Sequence, residues 1–237
     1  MTDNTNLRKS HRKPSEKSVA LGRFSRCVVD DDFRGSYKLV NQLKFLSEAD
    51  KLKSIYRQTL ITDKSREETS AEHSWHFALM AMTLFEYCVL PDVDLDKVIK
   101  MALLHDLVEM YAGDTPAYMD VAPEDKLTKE KEAADKIFSL LPQTQSKEYR
   151  DLWDEFEEMA TSNAIYAAAI DRLQPHINNY LTDGHAWIKF NNVRTRDSVT
   201  IDKVYKRMAP VKVAMPVLWE YVEYIIKDSC EKGYIIP

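Results

Sequence analysis

The stretch "MALLHDLVEMYAGDTPAY", residues 101–118, sets His105 beside Asp106 in an apolar run and follows them with Glu109 and Asp114. Isolated buried charges are costly and are normally paired or bound to a metal, so the doublet needs partners. Two residues elsewhere qualify. His73 in "SAEHSWH" opens another apolar segment, and Asp171 in "AAAIDRLQP" sits behind the small residues Ala167 and Ala168. Two imidazoles and two carboxylates form a mixed nitrogen and oxygen donor set suited to Mn, Fe, Co, Ni or Zn, with positions left for water and substrate. The chemistry such a set supports is metal-assisted hydrolysis.

Each residue also has a plainer reading. A lone His on an apolar helix is commonly a hydrogen-bonded core residue, and Asp171 next to Arg172 fits an ordinary ion pair. Glu72 completes a T-x-x-E capping box with Thr69. Asp114 after Gly113 fits a turn cap ahead of Pro116, and Trp75 and His76 fit packing. Consecutive helical residues point about 100° apart, so His105 and Asp106 reach one centre only if the sector between them faces it. Glu109 lies on the His105 face, one turn on. Spacing alone leaves both readings open.

The elements that must position these residues are helical. "LVNQLKFLSEADKLKSIYRQTL" places Leu39, Leu43, Leu46, Leu52 and Ile55 at helical spacings, and "ITDKSREET" reads as a loop. "SAEHSWHFALMAMTLFEYCVL" is apolar nearly all round, as a central helix is. "DLDKVIKMALLHDLVEMYAG" reads as one helix closed by Gly113. "LTKEKEAADKIFSLL" reads as an exposed helix, and "KEYRDLWDEFEEMA" sets Leu152, Trp153, Phe156, Met159 and Ala160 in one stripe beneath solvated acids. In "NAIYAAAIDRLQPHINNYL", Pro175 predicts a kink or break. "DGHAWIKFNNVRTRDS" reads as a loop, "VTIDKVYKRM" as a short helix, and "MPVLWEYVEYIIKDSCEKG" as a closing helix with Pro216 in its first turn. Only five glycines occur in 237 residues and helix formers abound, so the sequence predicts an all-α fold. No βαβ alternation or glycine-rich phosphate loop is present.

Polar residues 1–37 predict a disordered arm ahead of one globular domain over 38–237. The arm lacks the apolar run of a secretory signal, and Asp3 and Glu16 disfavour a mitochondrial presequence. No apolar run approaches the roughly 20 residues that span a bilayer. Three scattered cysteines, Cys27, Cys88 and Cys230, favour a reducing, cytoplasmic compartment. A formal net charge of −5 argues against a nucleic-acid polymer as partner.

The order His … His-Asp … Asp on an all-α frame resembles the HD-domain superfamily of metal-dependent phosphohydrolases. "AEHSWH", "LLHDLVEMYAGDTPAY" and "DRLQPHINNYL" look like its 5'-deoxynucleotidase branch, and the likeness spans residues 39–225. It implies a helical HD-domain bundle holding one divalent transition metal on His73, His105, Asp106 and Asp171. It implies Glu109 and Asp114 as catalytic acids, Arg57 in "IYRQTL" as a contact to substrate phosphate, and Arg66 as a second substrate contact. The implied activity is hydrolysis of (deoxy)nucleoside 5'-monophosphates by a homodimer. The rival readings are a hydrolase of another nucleotide class and a non-catalytic nucleotide-binding protein. Where the bacterial nucleotidase has an aromatic residue after the arginine, Gln58 stands here, which bears on ribose discrimination. Lys189, Arg194 and Arg196 are read as solvated charge or further phosphate contacts.

Overall fold

A computed structural model describes residues 36–113, 118, 123–193 and 198–237. Residues 1–35 of the expected N-terminal arm, Asp114, Arg194 and Arg196 lie outside them, while the last two residues of that arm, Ser36 and Tyr37, begin a helix.

The fold is all-α apart from one short hairpin. Helix α1 (Ser36–Ala49) continues through a 3-10 turn into β1 (Tyr56–Leu60), which pairs antiparallel with β2 (Glu67–Thr69). The helical pattern expected up to Leu60 thus ends early, and part of the expected loop is strand. The physical reason lies in the side chains: Thr59, Glu68 and Thr69 are buried, and an extended chain alternates its faces so that Arg57 and Thr59 turn inward together.

Helix α2 (Ser70–Leu84) follows at once, with Thr69 as its N-cap. The Thr69 side chain accepts from the Glu72 N–H, and the Glu72 carboxylate accepts from the Thr69 N–H at 3.0 Å, closing the capping box. Helix α3 (Leu95–Leu104) passes into a 3-10 turn over His105–Val108 and then into α4 (Glu109–Ala112). Gly113, at φ +79° and ψ 150°, ends it in a backbone conformation that favours glycine. Helices α5 (Pro123–Phe138) and α6 (Gln143–Glu158) form an outer pair. Ala133, Ala134, Ile137 and Phe138 of α5 are buried, so that helix is less exposed than its charged sequence suggests.

Helix α7 (Ser162–Leu181) is the central element, packed on α2, α3 and α6, on α9 (Ile201–Ala214) and on α10 (Pro216–Glu231). Buried Ala164, Ala167, Ala168 and Ala169 let its neighbours approach, and the buried Tyr166 hydroxyl donates to the Ala81 carbonyl of α2 at 2.7 Å. Pro175 does not break the helix, because both of its flanks are clamped by packing. Residues expected as a loop form α8 (His185–Val193), whose Ala186 and Trp187 are buried. Pro216 occupies the first turn of α10.

The cap at Thr69 fixes where the His73 helix begins. Thr69→Ala should cost about 1 kcal/mol and lower Tm by about 2–4 °C, measured by thermal unfolding. An unchanged Tm would mean that packing alone sets this helix start.

Candidate metal centre and its cleft

His73 comes from the second turn of α2, His105 and Asp106 from the junction of α3 with its 3-10 turn, and Asp171 from the middle of α7. The structure brings the four side chains together. Asp171 Oδ1 lies 3.0 Å from His73 Nε2 and 3.6 Å from His105 Nε2, while Asp106 Oδ1 lies 3.0 Å from His105 Nε2. One donor atom from each of His73, His105 and Asp106 fits within 4.8 Å of the others. Donors each about 2.1 Å from one ion and at right angles would lie about 3 Å apart, so this is the separation a shared cation produces.

The second nitrogen of each ring fixes its tautomer. The His105 Nδ1–H donates to the Ala102 carbonyl at 2.9 Å, and a carbonyl can only accept. The His73 Nδ1–H donates to Gln174 Oε1 at 2.8 Å. Gln174 is itself oriented because its Nε2 donates to the buried Glu68 carboxylate at 2.7 Å. Both rings, when neutral, therefore aim their Nε2 lone pairs at Asp171. Of these atoms His105 Nε2 is buried without a hydrogen-bond partner. Lone pairs facing a carboxylate need a proton or a cation between them, and imidazole nitrogen with carboxylate oxygen is a donor set that fits a divalent transition metal.

Electrostatics agree with the geometry. Burial alone would lower the His105 imidazole, but the Asp106 and Asp171 carboxylates hold it well above its ordinary value. Burial alone would raise Asp106, yet His105 and Arg57 bring it down to about 2. Asp171 is likewise held well below the usual carboxylate range by His105 and His73 against its burial. Burial raises Glu68.

The cluster opens into a cleft of about 260 Å³, lined among others by Arg57, Gln58, Glu109 and Asp171. Arg57 Nη1 donates to Asp106 Oδ2 at 2.7 Å. Glu109 accepts from the buried Ser70 hydroxyl at 2.8 Å, which ties the carboxylate to the first turn of α2. Arg66 is placed differently: it does not line the cleft, and its guanidinium forks onto both Glu72 oxygens, at 2.8 and 2.5 Å. That contact draws the Glu72 carboxyl down to about 2. Asp171 makes no ion pair with Arg172, whose guanidinium donates instead to the Arg207 carbonyl at 3.0 Å. Lys189 pairs with Glu67 at 2.7 Å. Trp75 is exposed rather than packed, and His76 Nδ1 lies 3.2 Å from Gln174 Nε2. Sequence reasoning missed Glu68, Ser70 and Gln174, which carry no spacing signal; only the cost of burying them would have pointed to partners.

Comparison with known proteins places the geometry in context. An HD domain profile matches residues 49–211. The 5'-deoxynucleotidase HDDC2 of Xenopus laevis is 32% identical over 137 residues, covering 58% of this chain and 62% of that one. Its human counterpart is 29% identical, covering 56% and 63%. The chain therefore spans under two thirds of the length of these two relatives. A crystal structure of a predicted metal-dependent phosphohydrolase from Magnetospirillum magnetotacticum is 40% identical, with a TM-score of 0.76 over 85% of this chain and all of that one.

The donor cluster couples stability to pH. His105, raised on folding, contributes stability that is whole below about pH 6.5 and is lost as pH rises through its folded value. Asp106 and Asp171, lowered on folding, contribute stability that is whole above about pH 3.9 and is lost as pH falls. Metal must displace the His105 proton. Adding Mn2+ or Co2+ to metal-free protein should thus raise Tm more at pH 8 than at pH 6, measured by scanning calorimetry. An increment larger at pH 6, or equal at both, contradicts a cation shared by these donors.

Proposed function

This chain belongs to the HD domain family, and we propose that it is a metal-dependent phosphomonoesterase that hydrolyses (deoxy)nucleoside 5'-monophosphates to nucleoside and phosphate. The observation that carries the reading is the pair of imidazole Nε2 atoms facing Asp171 at the floor of a cleft that Arg57 and Glu109 also line. The relatives named 5'-deoxynucleotidase support the substrate class.

His73, His105, Asp106 and Asp171 would hold the ion, for which Mn, Co, Fe, Ni and Zn all match the donors. When bound, a divalent cation acidifies water and withdraws charge from a phosphoryl oxygen. The remaining work falls to the chain's own side chains. Glu109, steadied by Ser70, orients the attacking water and accepts its proton. Arg57, braced on Asp106, presents a planar fork that suits phosphate oxygens and neutralises their charge. Asp114 assists the departing nucleoside 5'-oxygen through a proton or a hydrogen bond. Arg66, the second substrate contact that the resemblance implies, is held by Glu72, so a phosphate would have to compete with that carboxylate for its fork. A cytoplasmic site of action follows from the scattered cysteines, and no described helix is long and apolar enough to cross a membrane. A homodimer is part of the same proposal.

The test is phosphate release from a panel of nucleoside mono-, di-, tri- and cyclic phosphates with added Mn2+ or Co2+. Deoxynucleoside monophosphates should be the best substrates, and Glu109→Ala should lower kcat by about 10²–10⁴-fold while metal content stays intact. Asp106→Ala should lose both metal and activity. Preference for cyclic or triphosphate substrates would move the chain to another hydrolase class, and binding without turnover under every metal would make it a binding protein. A separate comparison addresses Arg57. Arg57→Lys keeps the charge but not the fork, so it should raise KM for monophosphates about tenfold or more; an unchanged KM would remove Arg57 from phosphate binding.

A further inference from the structure

Helix α7 carries more than Asp171 into the cleft. Pro175, His176 and Asn179 line the same cavity. At a rise of 1.5 Å per residue, Asn179 stands about 12 Å along the axis from Asp171. The metal donors occupy one end of this wall, and an unsatisfied polar atom occupies the other. Oδ1 of Asn179, 6% exposed, is buried without a hydrogen-bond partner, beside the His176 imidazole, 3% exposed, which meets the Val222 backbone. Such atoms are rare in folded proteins because desolvation without pairing is costly, so one left this way along a cleft wall calls for a ligand that pairs it.

The surroundings limit what that ligand can be. Trp187, 2% exposed, also lines the cleft, and its ring centroid lies 5.4 Å from that of His176. This supplies an apolar, aromatic wall. Burial pushes the His176 imidazole down to about 3, against a smaller upward pull from its hydrogen bond to the Val222 backbone, so the ring is neutral and serves as a wall of the cleft. A bare carboxamide oxygen repels a second phosphate. Arg172 and Arg207 line the cleft too, but Arg172 donates to the Arg207 carbonyl and to the Met159 sulfur, so its fork is not presented as an anion clamp. A sugar hydroxyl, only a few bonds from the ester phosphorus, belongs nearer Asp171.

We infer that this end of the cleft is a nucleobase subsite, in which Asn179 Oδ1 accepts a hydrogen bond from an exocyclic amino group while His176 and Trp187 bound the base. The inference rests on the nucleotidase reading, and it adds base discrimination to it. Carboxamide recognition of an amino-bearing base edge is a common pairing.

Substrate pairs that differ only in an amino or oxo group test it. The wild-type ratio of kcat/KM should favour dCMP over dUMP, and dAMP over dIMP, by about fivefold, the value of one net hydrogen bond. Asn179→Leu should bring both ratios close to one, and Asn179→Asp, which keeps acceptor oxygens, should retain a preference for the amino partner. Titration calorimetry of deoxycytidine against deoxyuridine gives a readout independent of turnover, with the same direction expected. Equal ratios and equal nucleoside affinities in the wild type overturn the subsite, as does a preference that survives Asn179→Leu. Failure to hydrolyse any monophosphate, with an Asn179-dependent preference for deoxycytidine intact, overturns the nucleotidase reading and leaves the subsite standing.

Discussion

Everything near the cleft depends on one contact that is unstable by itself. Asp171 Oδ1 faces two imidazole nitrogens, and each ring has spent its other nitrogen as a donor, His105 on the Ala102 carbonyl and His73 on Gln174. Neither ring can turn to offer a second N–H without abandoning a buried acceptor. The cluster must take up positive charge, and the Asp106 and Asp171 carboxylates accordingly hold the His105 imidazole well above its ordinary value. This explains why buried carboxylates can stay ionised at the meeting point of three apolar helices. It also explains why Gln174 and Glu68 are buried behind His73: they fix the direction in which the lone pair points.

The same constraint gives the hairpin its purpose. Two strands in an otherwise helical chain are marginal alone, yet β1 packs on α7 and α8 and carries Arg57 to Asp106. Asp106 is thereby bracketed, with His105 on one oxygen and Arg57 on the other. The two arginines of this region have opposite settings. Arg57 is largely buried against a carboxylate of the cluster, whereas Arg66 meets Glu72 at the surface, where an ion pair contributes about 0–1 kcal/mol. The Arg66 contact acts mainly on Glu72, steadying the acid that caps α2 and so the start of the helix that carries His73.

Much of this was legible in the sequence, and the limits were physical. Four donors on apolar helices stood out because burying them demands compensation, and the all-α frame followed from scarce glycine and helical spacing. Glu68, Ser70 and Gln174 were not legible, since a polar residue in a short segment carries no mark of burial until the tertiary fold surrounds it. Helix α8 was hidden for a related reason. Its sequence is mixed and short, and it is the burial of Ala186 and Trp187 against the rest of the molecule that holds it helical. Pro175 was misleading in the other direction: its local cost, about 3 kcal/mol in a helix interior, is outweighed by packing on either side.

The position of that proline bears on how one helix serves two tasks. Pro175 has no N–H to give to the Asp171 carbonyl, so the helical ladder is interrupted at the residue whose side chain faces the imidazoles. On the N-terminal side of this point, a run of buried alanines lets α2 and α3 close in until His73 and His105 reach Asp171. Beyond it, the same helix turns His176 and Asn179 to the cleft, and the Tyr180 hydroxyl donates to Asp228 of α10 at 2.9 Å. Close approach and an open wall are conflicting demands on a helix surface. Here they are separated along the axis, small side chains serving the first and polar ones the second, so the chemistry at Asp171 and the shape of the cleft beyond it can vary independently.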